Sequence, residues 1–338
     1  MDEKIDLGMK IVGVLILIVV VLFILTWTGV VECKSISPYW CEAYDAVLGS
    51  PRVLIVYGDS GTGEPEKLKT LLQDSRYVGV GAVDAQHVDR VTIGNLKKYK
   101  LVIVEHARKL SADQLLMFMD YVNKNGGRLV WVGDAGVEFG EGEVRDYSDT
   151  ICERNSIGVR TIPSDEFGNV RTDVNCSENS PKVADNPWFR IKDTATSYDL
   201  VNFDEFLGLK YVDSYCKQVS CPTTPFSVGA LEAEVTGEHP LIYGTSPALN
   251  FKITKDRDFS IVKPISDSSV GNIVLNLNHG GVADGKTIKI PKNMPIIATS
   301  SIGLGERVAY YAYPPEWFYS DNNYFQYVKR MYFGMMGR

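Results

Sequence analysis

From Arg52 onward, runs of consecutive apolar residues alternate with stretches in which apolar positions recur every three or four residues. The runs "RVLIVYG", "YVGVGAVDA", "KLVIVEHA" and "RLVWVGDAG" predict four strands. Between them, "EPEKLKTLLQD" and "SADQLLMFMDYVNKNGG" carry the helical period. Pro65 suits a first helical turn, Ser111 with Asp113 marks an N-cap, and Gly126-Gly127 supplies a left-handed stop. Strands that are apolar on both faces and separated by helices imply a mostly parallel sheet covered on both sides, hence an α/β chain.

This rhythm fails from about residue 138 to 236, which holds four cysteines and is rich in Asn, Asp, Ser and Pro. The segment, with short patches such as "NPWFRI" and "FLGLKYVDSYC", reads as a disulfide-containing insertion. Strand patterns return in "HPLIYG", "NIVLNLNHGG", "MPIIATSS" and "ERVAYYAYPP", and "NNYFQYVKRMYFGMM" reads as a closing amphipathic helix. The last two strands, with "IGLG" between them, predict an antiparallel hairpin beside the parallel sheet.

The N-terminus follows a different pattern. Residues 11–31 contain no charged side chain, and at 1.5 Å per residue they reach roughly 30 Å, the hydrocarbon thickness of a bilayer. They predict an uncleaved transmembrane helix after a cytoplasmic tail of residues 1–10, with Trp27 near its outer end and a juxtamembrane linker over 32–51. The lysines flanking the span do not decide its orientation, but the cysteines do. All six (Cys33, Cys41, Cys152, Cys176, Cys216 and Cys221) follow the span, and no zinc-type spacing occurs among them. They place the body, residues 52–338, outside the cytoplasmic membrane. Loop length alone favours the pairs Cys33–Cys41, Cys152–Cys176 and Cys216–Cys221. A net charge of −7 argues against nucleic acid as a partner; a protein or glycan at the cell surface remains.

The stretch "YKLVIVEHARKLSADQLLMFMDYVNKNGGRLVWVGDAG", followed by "GEHPLIYG" and "GLGERVAYYAYPPEWFYSDNNYFQYVKRM", resembles the class I glutamine amidotransferase-like superfamily, in particular its non-enzymatic and trehalose-utilisation-type branches. The resemblance covers roughly residues 52–136 and 237–335 and implies a flavodoxin-like three-layer sandwich. Catalytic members use a Cys nucleophile on a sharp turn with a His and a Glu. Here Asp134-Ala135 stands where that Cys would be, and His279 is followed two positions later by Gly281 rather than Glu. The resemblance therefore implies a degenerate domain without the triad. The first loop, "YGDSGTGEPEKL", also resembles a flavodoxin phosphate loop. Asp59 and Glu64 would stand beside the phosphate and the loop holds no cation, so no flavin, nucleotide or other cofactor is expected.

Ligands of open α/β sheets lie beyond the carboxyl ends of the strands. That rule gathers Asp59, Ser60, Glu105, His106 and Asp134 into one expected crevice. These groups could hold a polar ligand or a metal or perform acid–base chemistry, or they could simply cap helices and face water. The residues thus predict a membrane-anchored binding or scaffolding protein; the alternative is a cell-envelope hydrolase of glycan or peptide that uses these carboxylates and His106. His87 and His239 are expected at the surface or in turns. Asn175-Cys176-Ser177 matches a glycosylation pattern whose middle residue makes it a poor acceptor.

Overall fold

The computed structural model describes residues 2–27, 31, 36–49, 52–74, 82–140, 186–193, 198–223, 229–237, 239–242, 248–266, 270–277, 282–283, 286–287, 294–300, 306–322 and 325–336. The expected pairs Cys33–Cys41 and Cys152–Cys176, His279 and the Asn175 motif lie outside the described residues or side chains. In chain order the elements begin with α1 (Asp2–Trp27), α2 (Pro38–Leu48), β1 (Arg52–Tyr57), α3 (Pro65–Leu72), β2 (Ala82–His87), α4 (Ile93–Leu96) and β3 (Leu101–Val104). Then come β4 (Lys109–Leu110), α5 (Ala112–Asn123), β5 (Arg128–Val132), β6 (Glu138–Phe139), β7 (Phe189–Asp193), β8 (Tyr198–Asn202), α6 (Phe203–Leu207), β9 (Leu209–Ser214) and α7 (Tyr215–Gln218). The last part holds β10 (Gly229–Val235), β11 (Ala248–Ile253), β12 (Ser260–Pro264), β13 (Val270–Leu277), β14 (Val282–Ala283), β15 (Lys286–Thr287), β16 (Met294–Ser300), β17 (Val308–Tyr311), α8 (Pro315–Asn322) and α9 (Phe325–Phe333).

Among the described residues, nine strands form one sheet in the order β11-β10-β13-β16-β17-β5-β3-β1-β2. The five strands from β17 to β2 run parallel, and the other four pairings, starting with the expected β16–β17 hairpin, are antiparallel. The parallel half is apolar on both faces because helices cover both. Val53–Val56 of β1 and all of β3 are fully buried. On one side α5 packs with α4 and α6; on the other α3 packs with α8, giving three layers.

Local chemistry sets the ends of the helices. Pro65 opens α3 in the first turn, where its missing N–H costs nothing. Ser111 accepts from the Gln114 N–H while the Gln114 side chain accepts from the Ser111 N–H, a complete capping box on α5. Gly126, at φ 66°, ends that helix in the left-handed region.

Three parts of the chain differ from the sequence expectation. The segment "HPLIYG" is a turn over its described part, 239–242, rather than a strand: the His239 ring accepts from the Leu241 N–H, and the Ile242 N–H closes back on His239 O. Pro240, which has no N–H to give a ladder, fits that turn. The stretch 138–236 is not wholly apart from the sheet, since β10 is one of its strands and Trp188, Phe203 and Phe206 are core residues. In the linker 32–51, α2 docks on α1: the Trp40 indole donates to Thr26 Oγ1 at 3.0 Å, and the rings of Phe23 and Tyr44 lie 5.0 Å apart.

The Cys216–Cys221 disulfide is formed, and among the described residues no cysteine is free. Helix α1 is 26 residues long. Its side chains are described only from Lys10 to Thr26, and among the described residues no helix is long and apolar enough to cross a membrane. Within that described part, large apolar side chains between Ile11 and Ile24 are about half exposed, up to 63% at Leu17.

Candidate functional site

The loops after β1, β3 and β5 converge at the carboxyl edge of the sheet. Backbone bonds join them closely: Gly58 N–H to His106 O at 3.0 Å, His106 N–H to Thr62 O at 2.7 Å, Arg108 N–H to Ser60 O at 2.8 Å and Gly136 N–H to Ala107 O at 2.9 Å. Such close approach requires small residues. Gly133 has φ 60°, and a Cβ there would stand 2.6 Å from the Thr62 side chain. His106 adopts φ 50°, a left-handed conformation uncommon for a residue with a side chain.

The five residues expected to share one crevice are divided among three environments. Asp134 is buried, accepting from the Thr62 N–H at 2.7 Å and from Arg108 Nε at 2.6 Å, with a second guanidinium nitrogen of Arg108 also in contact. It therefore ties all three loops together and offers no free carboxylate to a ligand. Ser60 bridges to Ala107 in the same stitching. At the turn that Asp134 begins, the indoles of Trp131 and Trp188 both donate to Ala135 O, at 2.9 and 2.8 Å. Arg190, also buried, donates to Gly136 O at 2.7 Å and stacks on Phe139, with its guanidinium carbon 3.6 Å from the ring centre. The turn at Asp134-Ala135 is thus held from the insertion side by Trp188 and Arg190.

Glu105 lies elsewhere. It is fully buried, and among the described residues no N–H or O–H reaches either of its oxygens. What faces it is another fully buried carboxyl, Glu316 of α8, with Glu64 nearby. Glu316 accepts from the Glu64 N–H at 3.2 Å and from Tyr332 Oη at 3.1 Å, and the Trp317 indole donates to Glu64 at 2.7 Å. Gly63 closes the group: a Cβ there would be 3.0 Å from the Glu105 carboxyl carbon. Burial first, and then the charge of Glu316, pushes Glu105 well above the ordinary carboxyl range; burial also pushes Glu316 up to about 7. His106 Nδ1 is likewise buried and, among the described residues, without a hydrogen-bond partner.

Asp59 faces a third environment. Its side chain is 97% exposed and receives His87 Nε2 at 3.3 Å, while His87 Nδ1 accepts from the Asp89 N–H at 3.4 Å. Asp89 also brings a carboxylate oxygen to 3.4 Å from Nδ1, so the ring stands between two carboxylates. The ring also stands edge-on to Tyr57 at 5.6 Å. Gly58, Asp59, His87, Asp89, Lys109 and Ser111 line part of a cavity of about 370 Å³. The cavity lies beyond the carboxyl ends of β1, β2 and β3. The chain leaves β1 for β2 on one side and returns to β3 on the other, the place where open α/β sheets take ligands. Asp59 and Asp89 approach His87 from different ring nitrogens and do not converge on one point. Among the described residues, the one trio of metal-type ligand atoms within 4.8 Å of one another is Cys216, Cys221 and Asp258. Two of its members are joined in the disulfide, which leaves one carboxylate and no cage.

The expected edge of the sheet therefore holds a stitch, a buried acid pair and a cleft rather than one crevice. Arg108, Asp89 and Glu316 escaped the sequence reading. Glu316 carries a legible signal: it is the single acidic residue within the apolar, aromatic run "VAYYAYPPEWFY", where a charge is out of place unless it is buried with partners.

No family model matches the chain, and no curated protein matches it. Among solved structures, it is similar to a ThuA-like protein from Bacteroides uniformis, with 14% identity, 85% of this chain and 91% of that chain covered, and a TM-score of 0.49. It is also similar to a GMP synthase subunit from Thermoplasma acidophilum, with 9% identity, 85% and 94% covered, and a TM-score of 0.43. A third is the CTPS glutaminase domain of Trypanosoma brucei with bound acivicin, with 7% identity, 85% and 93% covered, and a TM-score of 0.39. Likeness at this level says nothing about substrate, partner or activity; the α/β description rests on the chain's own sheet order.

Proposed function

We propose that the chain is a membrane-anchored, extracytoplasmic binding protein whose amidotransferase-like domain is degenerate and takes a polar ligand in the cleft beside His87. The observation that carries this reading is the 370 Å³ cavity at the switch point of the sheet, with Asp59 and Asp89 at its mouth. Two carboxylates beside an imidazole suit a ligand that presents ammonium, guanidinium or hydroxyl donors, including the basic side chains or sugars of a surface partner. Hydrolysis by Glu105, His106 and Asp134 has less support: Asp134 is held by Arg108, and Glu105 is covered by Gly63.

The membrane anchor is supported by the apolar run 11–31 and by the exposed apolar side chains of α1, and the extracytoplasmic placement by the Cys216–Cys221 disulfide. Alkaline carbonate extraction of cell membranes is expected to leave the full chain in the pellet, with the ectodomain open to protease added outside the cell. Release into the wash would end the anchor reading, and protection from external protease would end the orientation.

The cleft is tested separately. Thermal-shift screening of the full chain against primary amines, guanidines, neutral sugars and organic acids is expected to give stabilisation by donors and none by the acids. Asp59→Asn is then expected to weaken a cationic hit by about tenfold, the loss of one charged hydrogen bond. Hits that bind the variant equally well would move the site away from Asp59.

A further inference from the structure

The buried acid pair lies outside the proposed cleft and has no role in it. Glu105 at the end of β3 and Glu316 on α8 are both fully buried, far apart in sequence, and directed at each other. Two carboxylates in such a place repel each other in a medium that screens weakly, and among the described residues neither Glu105 oxygen has a donor to offset its desolvation. A cation could supply the missing charge, but among the described residues no third ligand atom gathers with these two. One proton placed between the two carboxyls supplies both the charge and the donor.

We infer that Glu105 and Glu316 share a single proton, and that this proton latches helices α8 and α9 to the loop after β1. The connections that make it a latch are already fixed. Glu316 holds the Glu64 N–H and the Tyr332 hydroxyl of α9, Trp317 holds the Glu64 side chain, and Gly63 packs on Glu105. Among the described residues, Glu64 from the loop, Tyr332 from α9 and, through Tyr332, Tyr311 of β17 are titratable groups that act on the pair.

The sign of the pH dependence follows from burial. Both carboxyls hold their proton to higher pH when folded than when unfolded, so the folded chain binds more protons over that interval. The stabilisation is complete below the unfolded carboxyl range, begins to fall as pH rises through about 7, the value to which Glu316 is pushed, and is lost only when Glu105, held well above the ordinary carboxyl range, gives up the proton that remains. Full ionisation then sets Glu105, Glu316 and Glu64 against one another, and α8–α9 separates from the loop. Since that loop also carries Gly58 and Asp59, the latch sets the shape of one cleft wall.

Hydrogen exchange of the full chain at about pH 6 and about pH 10, corrected for intrinsic rates, tests this. Segments 64–72 and 315–333 are expected to exchange about tenfold faster, or more, at the higher pH, while 101–104 and 128–132 hold their protection. Glu105→Gln is expected to remove the difference, because its amide donates to the Glu316 carboxylate permanently. Equal protection of the wild type at both pH values overturns the latch, as does an unchanged pH response in Glu105→Gln. Infrared spectra of the wild type keep the test independent of how any variant folds. A protonated-carboxyl band at about pH 6 that shrinks and then fades as pH rises to about 10 is expected, and its absence at the lower pH overturns the shared proton.

Discussion

Asp134→Ala is expected to lower the unfolding free energy by about 3 kcal/mol, read as a shift of the urea midpoint at unchanged slope. Asp134 accepts from the Thr62 N–H and holds the Arg108 guanidinium, so its removal leaves both donors without their partner in a mostly buried setting. Breaking a buried pair usually costs about 3–5 kcal/mol; the lower end applies here because the Arg108 side chain keeps 37% of its surface in water. Asp134→Asn separates the two contributions. Its amide oxygen can still accept from Thr62 or Arg108 but carries no charge, so a loss of about 1–2 kcal/mol is expected. If alanine and asparagine cost the same, the charge does no work there, and if neither costs more than about 0.5 kcal/mol the stitch is not structural.

Trp188→Ala is expected to be still more damaging, by about 4 kcal/mol, the usual range for truncating a buried aromatic being about 3–5. The indole is fully buried, stands edge-on to Tyr310 at 5.6 Å and Tyr211 at 5.8 Å, and donates to Ala135 O. Trp131 donates to the same carbonyl, so the oxygen keeps a partner and most of the loss is packing. Trp188→Phe, which retains a ring and gives up the N–H, is expected to cost about half as much. Denaturant titration followed by circular dichroism measures both, and a loss below about 1 kcal/mol for alanine would mean that the insertion is not anchored through this residue.

The parallel half of the fold was legible because its physics is local. In "VLIV" and "LVIV" every side chain is apolar, as a strand buried on both faces demands, and Ser111 with Gln114 announces α5 within four residues. Strand β10 was not legible: "GALEAEV" alternates exposed Glu232 and Glu234 with a buried Ala233, too small a residue to stand out. The site was legible only as a region. Loop convergence follows from topology, and topology placed Asp59, Glu105 and Asp134 at one edge of the sheet. Which way each carboxyl turns depends on Arg108, His87 and Glu316, and the last of these comes from the far end of the chain, beyond any spacing rule.

The position of β17 has a consequence for how the chain is made. It lies between β5 and β16, pairing with one in parallel and the other antiparallel, yet it follows both in sequence. Until residues 308–311 leave the ribosome, the two halves of the sheet have no shared strand, and each presents an unpaired apolar edge. Assembly of the core then waits for β17, and the nascent chain depends on whatever shields those edges in the meantime.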